Sequence, residues 1–288
     1  VGLMIADDDP HDYMEPVVRE RLEVPEYKKF LTMVHSPQTD EDLELSKRRI
    51  VCDELFPFVM KLGEKKYEFV AKTQYKASKQ SVMESFIKSL PFPLTKDQDT
   101  AIHTLTTKMM AGERIETLVQ GDVGCGKTAI ATALAVAAVE NGYQAAIMCP
   151  TAVLAEQHYK SMSEQLAPFG ITVELLTSGL TAKAKRKVLS AIKDGTAQII
   201  VGTHAVIAKD VIFNKLALTV VDEEHRFGVE QRDALAEKAK AGVHNISMTA
   251  TPIPRTIASA VYGENTEIIN VHSMPSGRKP VKTIVYGN

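Results

Sequence analysis

Gly121-Asp122-Val123-Gly124-Cys125-Gly126-Lys127-Thr128 stands between an apolar run at 117–119 and an alanine-rich apolar stretch over 127–141. The string fits G-x-x-x-x-G-K-[ST] placed between a strand and a helix. Gly121, Gly124 and Gly126 let backbone N–H groups curl around phosphate oxygens with no Cβ in the way. The helix N-terminus adds unpaired donors and a favourable dipole. In such a loop Lys127 neutralises phosphate charge and Thr128 offers its hydroxyl to Mg²⁺. A glycine-rich turn with a chance Lys-Thr would not require strand, loop and helix together. Cys125 takes a variable loop position, either as a thiol activated by the helix N-terminus or as an inert small residue.

Outward from this loop, short apolar runs alternate with helical patterns. Strands are expected at 117–119, 145–149, 172–176, 199–201, 217–221, 246–249 and 267–271, and helices at 127–141, 153–166, 182–193 and 229–240. Strands without polar alternation are buried on both faces, and strand–helix alternation makes a parallel sheet wrapped by helices, an α/β fold. The chain before about residue 90 is different in texture. Thr39-Asp40-Glu41-Asp42 reads as a helix cap with acidic first-turn residues. Apolar residues from Leu43 to Leu62 then recur near a helical period, Gly63 is a candidate stop, and a second helix is expected over 78–89. Pro91 and Pro93 cannot continue it. The expected division is a helical linker region, 1–90, and an α/β domain, 91–288.

The apolar run 216–221 ends in Asp222-Glu223-Glu224-His225. Beside a phosphate loop, the first acid of such a strand end serves Mg²⁺ and the second orients or deprotonates an attacking water. Lys127, Asp222 and Glu223 are therefore the candidate catalytic residues. Ser247-Met248-Thr249-Ala250-Thr251-Pro252-Ile253-Pro254-Arg255 leaves another apolar run. It is either a stiff hydroxyl relay beside the acids or an ordinary Thr/Pro turn.

Composition narrows the class. The 288 residues are 44% hydrophobic and 24% charged, which excludes a disordered or collagen-like chain. Lys+Arg number 34 against 36 Asp+Glu, a net charge of −2 that is spread evenly along the chain. Bulk charge thus names no nucleic-acid partner, and such a role would need local contacts. Three cysteines without C-x-x-C spacing suit a reducing cytoplasm. No signal peptide is evident, and 129–139 is too short to cross a bilayer. The chain starts at Val1 and not at Met, as expected of a segment cut from a longer polypeptide.

Asp-Glu-x-His after the phosphate loop, then Thr-Ala-Thr, resembles the first RecA-like motor domain of superfamily 2 helicases and translocases. Several flanking stretches are similar to the RecG family of bacterial ATP-dependent DNA helicases. These are Leu90-Pro91-Phe92-Pro93-Leu94-Thr95 with Gln98, Gly202-Thr203-His204, Asp222 through Arg232, Thr249 through Thr256 and Gly277-Arg278-Lys279-Pro280. The likeness runs from about residue 10 to the end. The transcription-repair coupling factor shares the loop and the Thr-Pro-Ile-Pro-Arg stretch. His225 and Val229-Glu230-Gln231-Arg232 favour the RecG family, whereas Glu224 and Cys125 depart from its usual Gln and Ser.

The resemblance implies a P-loop NTPase with a RecA-like parallel sheet, ATP and Mg²⁺ as cofactors and branched DNA as partner. It assigns Phe92 and Gln98 to adenine, Gly121 to Thr128 to phosphates, and Thr128 and Asp222 to the metal. Thr151, Gly202, Thr203 and His204 would track a DNA backbone, and His225, Thr249 and Thr251 would couple DNA to nucleotide. It also implies that a second RecA-like domain and an OB-fold wedge are missing, and that the segment is a monomer with little ATPase activity of its own. A stand-alone nucleotide-dependent binding module and a small-molecule P-loop kinase are the readings of other classes.

Overall fold

The computed structural model describes residues 12–64, 72–223, 227, 234, 242–251, 253, 258 and 266–275. The chain divides into two compact units, Val1–Tyr67 and Glu68–Asn288.

The first unit holds helices α1 (Pro16–Leu22), α2 (Tyr27–His35) and α3 (Asp40–Glu64). The cap of α3 is reciprocal. Thr39 Oγ1 accepts the Asp42 N–H at 3.1 Å, and Asp42 Oδ2 accepts the Gln38 and Thr39 N–H groups at 2.9 and 3.2 Å. The helix runs one residue past Gly63. At the centre lies Arg49, whose side chain is wholly buried. Its guanidinium donates to Asp12 at 2.9 and 3.1 Å, to Asp53 at 2.8 Å and to the Pro25 carbonyl at 2.8 Å. The Tyr13 and Tyr27 rings lie 5.8 and 5.6 Å from it.

The second unit opens with α4 (Ser81–Ser89) and α5 (Lys96–Ala111). Strands and helices then alternate: β1 (Glu116–Gln120), α6 (Lys127–Glu140), β2 (Gln144–Met148), α7 (Ala152–Leu166), β3 (Val173–Leu176), α8 (Ala182–Asp194), β4 (Ile199–Gly202), β5 (Leu216–Val221), β6 (His244–Thr249) and β7 (Glu267–Asn270). All seven expected strands form, within two residues of the sequence reading. They make one sheet in the order β3-β4-β2-β5-β6-β1-β7, parallel throughout. Every residue of β2, β4 and β5 is buried, as their continuous apolar runs require. The helix expected over 229–240 lies outside the described residues.

The prolines do end α4, but they do not separate the two units. Met83 and Phe86 are buried in the core of the sheet unit with Leu134 and Ala138 of α6. The far end of α6 also caps α4. Glu140 accepts the Ser81 hydroxyl at 2.7 Å and the Met83 N–H at 3.3 Å, and Asn141 accepts the Lys79 N–H at 2.9 Å. Lys79 is thereby held outside the helix, so α4 starts at Ser81 and not at 78. The physical division falls between Tyr67 and Glu68, ahead of the texture change near 90.

Candidate functional site

In a parallel sheet all strands end on one rim, and ligands bind where the strand order switches. Here the chain leaves β1, crosses to β2, and later inserts β5 and β6 between them. The rim therefore brings the loop after β1, the exit of β6 and the acids after β5 side by side.

The loop is shaped by two left-handed glycines, Gly124 (φ 85°) and Gly126 (φ 87°), and Gly126 is the N-cap of α6. A Cβ on Gly126 would collide with Gln98 Nε2. A Cβ on Gly121 would lie 2.5 Å from the Val271 carbonyl oxygen. Glycine is thus required at both positions by close approach, and at Gly126 by conformation as well. Lys127 reaches back across the loop, its Nζ donating to the Gly121 carbonyl at 2.5 Å and the Asp122 carbonyl at 3.2 Å. Thr128 is half-buried on the first turn of α6. Cys125 is wholly buried among core residues, so it is the inert small residue of the two readings.

Gln98 is also wholly buried. Thr95 and Gln98 form a capping box at the start of α5, in which Gln98 Oε1 accepts the Thr95 N–H at 2.9 Å. Its Nε2 donates to the Cys125 carbonyl at 2.6 Å. The amide thus fixes the phosphate loop to the α5 cap, and an adenine contact would have to share it. Phe92 is half-buried and lines an open groove of about 560 Å³ with Ile87, Leu90, Leu94, Thr95 and Asp99.

Asp222 follows β5 and is nearly buried. Its N–H donates to the Met148 carbonyl at 2.8 Å, and its Oδ1 accepts the Glu223 N–H at 3.0 Å. Glu223 itself has φ 49°, a left-handed conformation that costs a non-glycine residue about 1 kcal/mol or more. His158 of α7 completes the surroundings, with Nε2 donating to Asp222 Oδ2 at 2.9 Å. The Cys149 thiol shares this cluster, with ligand atoms of Cys149, His158 and Asp222 within 4.8 Å of one another. Burial, and then the Asp222 charge, push that thiol up to about 12. With no metal beside it the thiol therefore stays protonated at neutral pH. Thr128 and Asp222 offer hard oxygens, the donor type that Mg²⁺ takes.

Thr249 lies at the end of β6, between the loop and the acids. Its carbonyl accepts the Gly121 N–H at 3.2 Å, and its Oγ1 stands 3.0 Å from Thr251 Oγ1. Gln120, directly before the loop, clamps Ile253 from both sides, at 3.2 and 3.3 Å. The strand exit at Ile253 is thus tied to the strand that carries the phosphate loop. On the other half of the rim, Thr151 caps α7 through the Leu154 N–H at 3.3 Å. Gly202 closes tightly on the Leu176 carbonyl, Thr203 is buried with an unpartnered hydroxyl, and His204 is exposed. His225 lies outside the described residues. Sequence reasoning gave Cys149 no role at the site and met His158 and Gln120 only within family-like stretches, because their partners Asp222 and Ile253 are remote in sequence and follow no local spacing.

Comparison with known proteins gives this geometry a family context. Residues 95–260 match the family model described as DEAD/DEAH box helicase. The ATP-dependent DNA helicase RecG of Bacillus subtilis (strain 168) is 41% identical over 94% of the chain, and that of Aquifex aeolicus (strain VF5) is 40% identical over 96%. The chain spans 40% and 36% of the length of those two proteins. A solved structure of RecG bound to a three-way DNA junction superposes with a TM-score of 0.70 and 34% identity, over 94% of this chain and 36% of that one.

Proposed function

The chain belongs to the DEAD/DEAH box helicase family, and from that premise we propose that it is the ATP-binding motor lobe of a DNA helicase acting on branched DNA in repair and recombination. One observation carries this reading. A glycine loop with Lys127, a Thr249–Thr251 hydroxyl pair and Asp222-Glu223 occupy three neighbouring exits of one parallel sheet, linked by the Gly121–Thr249 and Gln120–Ile253 hydrogen bonds. A kinase or a passive binding module has no need of that link.

In this reading the loop N–H groups and Lys127 hold the β- and γ-phosphates, Phe92 stacks on the adenine, and Gln98 keeps the loop in shape. Thr128 and Asp222 would hold Mg²⁺, which would supply positive charge against the phosphate oxygens. Glu223 orients the attacking water. Thr151, Gly202, Thr203 and His204 face a DNA backbone, and hydroxyls and N–H groups of this kind grip phosphates without reading sequence. His225 belongs with the coupling residues, as the family resemblance implies. Full turnover needs a second RecA-like domain that supplies an arginine finger, a contribution of about 10³–10⁵ in rate. The lobe is taken as a monomer. All three cysteines are free, which suits a reducing, cytoplasmic setting. Among the described residues no helix is long and apolar enough to cross a membrane.

Nucleotide titration with a fluorescent ADP, alongside ATP hydrolysis with and without a three-way junction, tests the proposal. The chain should bind nucleotide, Lys127→Ala should weaken binding at least tenfold, and hydrolysis should be slow. Failure to bind nucleotide would overturn the reading. Strong junction-stimulated turnover lost in Lys127→Ala would show that the second domain is dispensable.

A further inference from the structure

The helix α8 carries a feature that the nucleotide site does not use. Lys183, Arg186, Lys187 and Lys193 are all exposed. At about 100° per residue they fall on one face, opposite the buried Val188 and Ile192. Among the described residues none of the four makes an ion pair, whereas Lys185, off that face, pairs with Asp210 at 2.9 Å. The carboxylate at the far end of the stripe, Asp194, is turned to Thr196, accepting its N–H at 2.9 Å and its hydroxyl at 2.6 Å.

An idle solvated face would mix signs. Lys183 and Lys187 instead sit at i,i+4 with Arg186 beside them, a like-charge arrangement that weakens a helix by itself. It occurs in a chain whose net charge is −2. A polyanion laid on the face would remove the repulsion. The position fits this. The α8 N-terminus, capped by Thr181 through the Ala184 N–H at 3.3 Å, lies on the same rim as Thr151 and Thr203. The strand before it, β3, is the sheet edge and pairs with β4, which ends in Gly202. From Lys183 to Lys193 the stripe runs about 15 Å away from the rim at 1.5 Å per residue. A duplex presents one negative charge per about 1.7 Å of axis, so it meets a stripe of this length with several phosphates at once.

We infer that the Lys183–Arg186–Lys187–Lys193 face of α8 is a second DNA contact, which holds the phosphate backbone of a duplex arm as it passes the sheet edge. This rests on the reading of the chain as a DNA motor lobe, and it adds a site outside the rim motifs. The contact is electrostatic and sequence-independent.

Anisotropy titrations of the chain with a three-way junction, a linear duplex and a single-stranded oligonucleotide, across a salt series, test it. The variant is K183Q/R186Q/K187Q, which replaces exposed residues with good helix formers. Each phosphate contact contributes about 0.9 to the slope of log K against log salt. The variant should therefore lose about two to three units of slope on duplex and junction, and about tenfold or more in affinity. Its ADP affinity and unfolding temperature should stay at the wild-type values, and K183R/K187R should retain binding. An unchanged slope in the variant, with the wild type binding normally, would overturn this site alone. A loss as large or larger on the single strand would overturn the assignment to a duplex. A wild-type chain with no salt-dependent affinity for any of the three DNAs would overturn both this site and the motor-lobe reading, whereas failure of ADP binding, with salt-dependent DNA affinity intact, would overturn the ATP-driven motor reading and leave this DNA contact standing.

Discussion

Gly126 shows how much one residue can be asked to do. It needs φ 87°, and its Cα packs against an amide that is pinned at both ends, to Thr95 and to Cys125. Gly142 has a similar φ of 81° but open space around it. Gly126→Ala and Gly142→Ala should each cost about 1 kcal/mol through backbone strain. Only Gly126→Ala should also displace Gln98, add about 1–3 kcal/mol from its broken hydrogen bonds, and abolish nucleotide binding. Thermal unfolding and ADP titration of the pair check this, and equal nucleotide affinity in both would remove Gln98 from the loop's support. Lys127, Asp222 and the glycines were legible because their chemistry forces a fixed local spacing. The bond of Gln98 to residue 125 was not, because sequence shows a capped helix start and not which backbone the amide reaches next. His158 was invisible for the same reason, since its partner Asp222 lies 64 residues away.

Elements were legible where burial is uniform. A strand covered on both faces must be apolar throughout, which made β2, β4 and β5 legible, whereas the edge strands β3 and β7 are only partly buried and were placed by shorter apolar runs. The assignment of α4 was harder. Its polar face and the following prolines mark an end but not an owner, and its owner is the buried side of α6. The Glu140 carboxyl caps α4 from outside the helix. Burial raises its pKa, but the Ser81 hydroxyl and the N–H groups of 81–83 more than offset that and hold it below the ordinary value. A depressed carboxylate stabilises the fold above its unfolded value, and the effect is lost as pH falls through the folded one. Glu140→Ala should therefore cost about 1–2 kcal/mol near neutral pH. The gap to wild type should close as pH drops below the unfolded value of 4.5. Denaturant unfolding at neutral and acid pH measures both quantities, and a pH-independent gap would mean that Glu140 acts through packing and not as an ionised cap.

At the scale of the whole molecule, average properties hide what the units do. A net charge of −2 conceals the basic face of α8, and one contiguous chain conceals two separately cored units. Among the described residues of the first unit, Met14, Val24, Phe30 and Met33 are buried, and the buried Arg49 cluster ties Asp12, Pro25 and Asp53 together. Removing one partner of such a buried charge network costs about 3–5 kcal/mol, because the others are left uncompensated. Asp12 shows the same dependence. Burial raises its pKa, yet hydrogen bonds from Arg49 and from the Met14 and Tyr27 N–H groups hold it well below the ordinary 3.8. Its contribution is complete above that value and fades as pH falls further. On the proposed reading nucleotide binds only the second unit, and at a hundredfold excess over Kd a ligand stabilises its unit by about 2.7 kcal/mol. The full chain should then unfold in two calorimetric transitions. ADP should raise only the one that belongs to the Glu68–Asn288 unit. Arg49→Ala should lower only the other, and acid below about pH 4 should lower that same transition more in wild type than in the variant, where the Met14 and Tyr27 N–H groups still hold Asp12. A single transition moved by both ADP and Arg49→Ala would show that the Arg49 cluster and the nucleotide loop share one cooperative unit. The helical segment would then be a working part of the motor lobe and not a connector to it.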